Sequence, residues 1–281
     1  MNLTLTTIYE AKTIMKISKY LIYPALLFSL FLAACSTVPL TGRKQLSIVP
    51  SSQMQSMSYQ QYSDFMKTHK AITGTPEAQM VTRVGSRIQQ AVEKYFAQNN
   101  LSDQLKGYAW EFNLVDDPQV NAWCMPGGKV VVYSGIMKLV KNEAELATVL
   151  GHEISHAVAR HGDERMSQEL VTQLGGMALQ EAIKSKPALT QNIYMAAFGL
   201  GSQVGVLLPF SRTHESEADR LGLIFMAMAG YDPNAAVGFW ESMAAQSKGA
   251  PPEFLSTHPS DQTRINDIKK EIPEAMKYYN K

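Results

Sequence analysis

The stretch VLGHEISHAVARH, residues 149 to 161, places three histidines and a glutamate close together. Imidazoles four residues apart lie one turn apart on a single helical face, so His152 and His156 can share a metal ion. An HExxH pair of this kind binds zinc through neutral imidazoles, and the glutamate between them, Glu153, is placed to take a proton from an attacking water. The chemistry on offer is metal-assisted hydrolysis with Glu153 as general base. On an unbroken helix His161 would point away from that ion, so a third ligand must come from elsewhere.

A metzincin would carry glycine three residues after the second histidine and another histidine six after it; those positions hold Ala159 and Gly162, which excludes the class. A second segment, THESEADRLGLIFMAMAG (213 to 230), offers Glu215 and Asp219 four residues apart on one helical face. Glu215 is the expected third ligand. Asp219, one turn on, can accept the ring N–H of a ligating histidine and fix its tautomer. Taken alone, the two acids would read as a solvated face shared with Glu217 and balanced by Arg212 and Arg220. An upstream HExxH in need of a third ligand weighs against that reading. Glu217 falls on a different face, and His161, His214 and His69 read as surface or structural histidines.

These side chains need rigid elements. Asn142 can cap the motif helix, Glu145 completes a capping-box-like pair, and Gly162 is the expected stop. Leu146, Val149, Leu150, Ile154 and Val158 clothe much of the circumference, so the helix is buried and its polar groups need a reason to be there. Thr75 and Pro76 open another amphipathic helix over 75–96, while 108–115 and 129–135 read as strands of a small sheet. In MPGGKVVVYSG, Gly127 and Gly128 permit close approach, and the strand through Val130 and Val132 is expected to edge the cleft and pair with extended substrate. An interior hairpin strand fits the same Val-rich run. Near the C-terminus, FLSTHPSDQTRI holds His258 on a turn: Pro259 bars helix there, and Ser260 or Asp261 can cap the helix that follows. Facing the metal, His258 could donate to an oxyanion or fill the fourth zinc position as a self-inhibiting ligand; capping a local turn is the third option.

The 281 residues are 45% hydrophobic and 18% charged, which suits one globular domain (53–281) and excludes disorder. A net charge of +1 leaves no footprint for nucleic acid. Lys12, Lys16 and Lys19 precede YLIYPALLFSLFLAA (20 to 34), uncharged and too short to span a bilayer comfortably, so residues 1–34 read as a signal peptide. Met15 makes a more usual start for it than Met1. The run ends in LAAC, which resembles a bacterial lipobox, so Cys35 is the expected lipidation site and 35–52 a tether. An uncleaved anchor is the alternative. With Cys35 acylated, Cys124 has no intramolecular partner and reads as a small buried hydrophobe. The fifteen methionines, Met226 and Met228 among them, read as core filler.

HEISHAVARHGDERMS, LPFSRTHESEADRLG, NAWCMPGGKVVVYSGI and FLSTHPSDQTRI, in that family order, resemble metallopeptidase family forty-eight, which includes the Oma-type and CAAX prenyl proteases; the resemblance runs from about Thr75 to near the C-terminus. It implies a gluzincin fold, one zinc per chain on His152, His156 and Glu215, catalysis by Glu153 and a supporting Asp219, and it favours a functional role for His258. Within the family the chain is similar to small periplasmic lipoproteins that act in envelope quality control. The expectation is therefore an α+β, mainly helical zincin-like domain, lipid-anchored at the outer membrane and facing the periplasm, where Ser36 would direct it. Its expected partners are misfolded or unassembled envelope proteins and, through the lipid, a membrane. A non-proteolytic chaperone or assembly adaptor with structural zinc is the alternative, against which an intact Glu153 argues.

Overall fold

The computed structural model describes residues 35–38, 40–203, 207–246, 253–259 and 262–279. The expected leader with Met15, and the capping residues Ser260 and Asp261, lie outside them. The described chain begins with strands β1 (Cys35–Thr37) and β2 (Lys44–Leu46), paired antiparallel with Ser36 opposite Gln45. Helix α1 (Ser51–Thr68) follows, then β3 (Ala71–Ile72), α2 (Pro76–Gln98), β4 (Glu111–Val115), β5 (Ala122–Met125), β6 (Lys129–Tyr133) and the short α3 (Ser134–Met137). The remaining helices are α4 (Glu143–Val158), α5 (His161–Ile183), α6 (Ala188–Ser202), α7 (Leu208–Met228), α8 (Ala235–Ala245), α9 (Glu253–Thr257) and α10 (Gln262–Ala275). The mainly helical α+β class is as expected.

Residues 35–52 are not a tether. They form the β1–β2 hairpin and run into α1, with Val38 fully buried in the main core. Glycine and proline punctuation reads alike in a linker and in a tight hairpin, and Gly42, at φ +73°, turns this one.

The second sheet has the order β3-β4-β6-β5, with β4 and β6 parallel and the other pairs antiparallel. Val130 and Val132 face the helical core, while Val131 and Tyr133 face α1 through Tyr62 and Phe65. Both faces of β6 are covered, which is why its run is apolar without alternation. This corrects the expected edge strand. β6, with Val130 and Val132, is paired on both sides; β3 and β5 are the edge strands, and β5 is the one packed against α4. Gly127 and Gly128 form the β5–β6 turn at φ +94° and +88°, and a Cβ on Gly128 would come within 2.7 Å of the Trp110 ring.

The core lies where α2, α4, α7, α8 and α10 meet, around Phe225, Phe239, Trp240 and Phe254. Met226 is buried there. Helices α4 and α7 cross at Gly151 and Gly222, where a Cβ on either glycine would come within 3 Å of the other's backbone. That crossing sets the HExxH turn beside the turn that carries Glu215 and Asp219. Helices α5 and α6 pair with one another and expose Leu174, Met177, Leu189, Ile193, Tyr194 and Leu200. Among the described residues no helix is long and apolar enough to cross a membrane.

Candidate metal centre

Helix α4 begins as its sequence dictates: Asn142 Oδ1 accepts the Glu145 N–H at 3.0 Å. The Glu145 carboxylate returns to the N–H of Lys141, at 2.8 Å, one residue before the cap. The helix does not run on to Gly162. Arg160 sits at φ +60°, a left-handed residue that ends α4 and starts α5 at His161. The helical count that turned His161 away therefore fails, and its Nδ1 lies 2.8 Å from His156 Nδ1.

Four side chains from two helices and a turn converge: His152 and His156 from α4, Glu215 from α7, and His258 just past α9, with ligand atoms all within 4.8 Å of one another. The two Nε2 atoms of His152 and His156 are 3.1 Å apart, and Glu215 oxygens stand 3.4 Å and 3.3 Å from them. His258 Nδ1 is 3.0 Å from both Glu215 oxygens and 3.1 Å from His152 Nε2. Nitrogen and oxygen ligands at 2.0–2.1 Å on a tetrahedron would be separated by about 3.3–3.4 Å. The spacing and the donor set, three imidazoles and a carboxylate, fit zinc.

His258 lies on the turn between α9 and α10, where its N–H bonds to Phe254 O at 2.8 Å and closes α9.

Asp219 Oδ1 is 2.9 Å from His152 Nδ1, the ring nitrogen that faces away from the cluster. Glu215 and Asp219 are 7% and 8% exposed, so the solvated acidic face is not what forms. Their charge is met by Arg264, which the sequence reading did not assign. Its Nε and Nη2 donate to the two Asp219 oxygens at 2.7 and 2.8 Å, its Nη1 lies 3.0 Å from Glu215 Oε2, and its guanidinium stacks 3.7 Å over Trp240. A lone arginine on the polar helix α10 looks solvated; the cue was two buried acids in need of a cation.

Burial alone would raise Glu215, yet hydrogen bonds with His152, His156 and His258 hold it far below the usual carboxylate range. Asp219, also buried, is brought down to about 2 by Arg264 and His152. Burial favours the neutral His152, but its bonds to Asp219 and Glu215 raise it to about 9. His156 is held well below its usual value by burial, despite its bond to Glu215. Burial also raises Glu153, against the charges of His258 and His152. Glu153 Oε1 has no hydrogen-bond partner among the described residues, the nearest ring nitrogen being His258 Nε2 at 3.4 Å. A buried carboxylate oxygen left open beside a histidine cluster is a base awaiting a donor. Cys124, on β5, is kept protonated by burial and by the nearby Glu153 charge.

Of the remaining histidines, His69 stacks on Phe65, 3.7 Å away and apart from this cluster. His161 and His214 are each only 2% exposed and so are not surface residues. Glu217, on its other face of α7, accepts a hydrogen bond from His161 Nε2 at 2.9 Å.

A family model described as Peptidase family M48 matches residues 83–272. The chain is 35% identical over 241 residues to the mitochondrial metalloendopeptidase OMA1 of Schizosaccharomyces pombe, covering 85% of this chain and 67% of that one. It is 38% identical to the OMA1 of Arabidopsis thaliana, over 63% of this chain and 34% of that one. It is 36% identical to the beta-barrel assembly-enhancing protease of Yersinia pestis, over 57% of this chain and 34% of that one. The chain thus spans between about a third and two thirds of the length of these relatives.

The expected address, lipid-anchored at an outer membrane and facing the periplasm, is overturned by these relatives. Mitochondrial metalloendopeptidases of three eukaryotes are among them, as well as bacterial proteins. That address rested on an apolar run and a cysteine, a pattern that does not specify a membrane. The match over residues 83–272 and the relatives that share this site's segment assign the chain to peptidase family M48, as a metalloendopeptidase.

Proposed function

We propose that this metalloendopeptidase is zinc-dependent, with one zinc held by His152, His156 and Glu215, and that it hydrolyses misfolded or unassembled proteins. The observation that carries the reading is the convergence of four ligand atoms at tetrahedral spacings beside the unpartnered Glu153 oxygen. When bound, zinc would supply a Lewis acid that polarises the scissile carbonyl and eases deprotonation of water. Glu153 takes the proton of the attacking water and passes it to the leaving amine; burial, which raises its carboxyl, suits it to do both. Asp219, clamped by Arg264, holds the His152 ring in the tautomer that presents Nε2 to the centre.

The substrate class follows from the edge. β5 lies at the sheet edge against α4, so an extended chain can add to it through backbone hydrogen bonds, which read no sequence. Such pairing suits unfolded segments, and the Yersinia pestis relative's name, a beta-barrel assembly-enhancing protease, supports a quality-control role.

One observation favours a second reading. His258 completes a four-residue set, and four protein ligands are the habit of structural zinc, as a chaperone or adaptor would carry. Elemental analysis of purified variants tests the metal assignment. Zinc at one per chain should vanish in Glu215→Ala and persist in Glu153→Gln; full occupancy in Glu215→Ala defeats it.

A further inference from the structure

Each ligand histidine in the proposed centre has a second ring nitrogen, and the two are held by different means. His152 meets Asp219 directly. His156 presents Nε2 to the cluster, so its Nδ1 carries the hydrogen and donates to His161 Nδ1, 2.8 Å away. His161 must then carry its own hydrogen on Nε2, which donates to Glu217 Oε2 at 2.9 Å. The His161 ring stacks on His214, with centroids 4.3 Å apart and planes 11° from parallel, and His214 Nε2 bonds to Glu164 Oε2 at 2.9 Å. Both carboxylates end on one residue of the N-terminal hairpin. Arg43 gives Nη1 and Nη2 to Glu164 at 3.1 and 2.8 Å, and Nε to Glu217 at 3.0 Å, while the Thr41 hydroxyl donates to the other Glu217 oxygen. His161, His214, Glu164 and Glu217 are all buried.

We infer that His161 is a positioning residue for the His156 ligand, and that Arg43 and Thr41 of the β1–β2 hairpin hold it there through Glu217. The inference rests on the zinc reading above. It makes the β1–β2 turn, whose Arg43 lies 174 residues before Glu217 in sequence, a working part of the metal centre. A hydrogen-bonded ring can neither swing nor change tautomer freely, so His156 Nε2 stays aimed at the cluster. The buried acids explain why an arginine is needed: two carboxylates without a cation would repel and be costly to bury. Arg43 meets one of them in a fork, a geometry lysine could not reproduce.

The test measures the zinc dissociation constant of the purified full chain by competition with a chromogenic chelator, with the melting temperature of the metal-free form as the folding control. His161→Ala should weaken zinc by about 10- to 100-fold. His161→Asn, whose Oδ1 takes the place of the lost acceptor, should recover most of that. Arg43→Met, with the melting temperature of its own metal-free form as the folding control, should weaken zinc by roughly tenfold while Lys67→Met on α1 does nothing. Zinc binding within twofold of wild type in both His161→Ala and Arg43→Met overturns the inference. So does an Asn variant as damaged as the Ala variant. Should His161→Ala fail to fold, the Arg43→Met and His161→Asn results decide alone. If the wild-type chain binds no zinc, or binds it equally well with Glu215→Ala, the zinc reading itself has failed, a result separate from these.

Discussion

Gly151 and Gly222 face each other where the two site-bearing helices cross, so closely that a Cβ on Gly151 would lie 2.8 Å from the Gly222 carbonyl oxygen. The contact is backbone on backbone, with no flexible side chain to give way. Gly222→Ala must therefore push α7 off α4, at a cost of about 1–3 kcal/mol, and pull Glu215 away from the histidines. Thermal melts should show a drop of at least about 2 °C, and zinc retention should fall with it. A variant that melts and holds zinc like wild type would mean the helices are not pinned there.

Arg264 is the only described cation within 3.0 Å of both Glu215 and Asp219. Arg264→Met takes from two buried carboxylates their permanently charged partner and leaves them to His152, a defect of about 3–5 kcal/mol. Zinc brings positive charge to the same place, so the loss should be largest in the metal-free form and partly repaired on adding zinc. Equal melting temperatures for the metal-free variant and metal-free wild type would contradict this.

The pH dependence of the metal-free form has a defined sign. His152 is raised in the fold from 6.5 to about 9. A base with a raised folded value contributes stability that is fully present below pH 6.5 and is lost as pH rises through about 9. That loss is on the order of 3 kcal/mol. Binding zinc expels the same proton, so apparent zinc affinity should climb over that window. Melting curves and chelator competition between pH 6 and 9.5 would check both trends; Asp219→Asn, which removes the first of the raising bonds, should flatten them.

His258 lies within the ligand set, and in this geometry it closes the centre. His258→Ala should therefore raise the initial rate on an unfolded substrate and weaken zinc moderately, since one of four ligands is lost. Steady-state kinetics with zinc held saturating would show it. A fall in kcat of about a hundredfold would instead assign His258 to the oxyanion.

Much of this centre was legible because helical spacing is rigid: His152, His156, Glu215 and Asp219 could be paired by counting turns. His161 stands outside the ligand set, as that count gave, but its place against His156 was not legible, since one left-handed residue, Arg160, resets the count and no periodicity reports it. The edge strand was misplaced because apolar runs do not say whether one side or both sides of a strand are paired; β6 proved interior and β5 an edge. Arg43 and Arg264 were invisible because a buried ion pair is a long-range match between segments that each look solvated alone. The hairpin around Val38 and Gly42 looked like a linker because both are rich in the same residues.

The central claim is that Glu153 works as a base beside a zinc held by its neighbours, and one measurement reaches it most directly. Digestion of casein by the purified chain should be followed beside Glu153→Gln, with zinc quantified in the same samples. Wild type should cleave, Glu153→Gln should lose at least about a hundredfold, and both should hold equal zinc. Cleavage at wild-type rate by the zinc-loaded Glu153→Gln chain would contradict it.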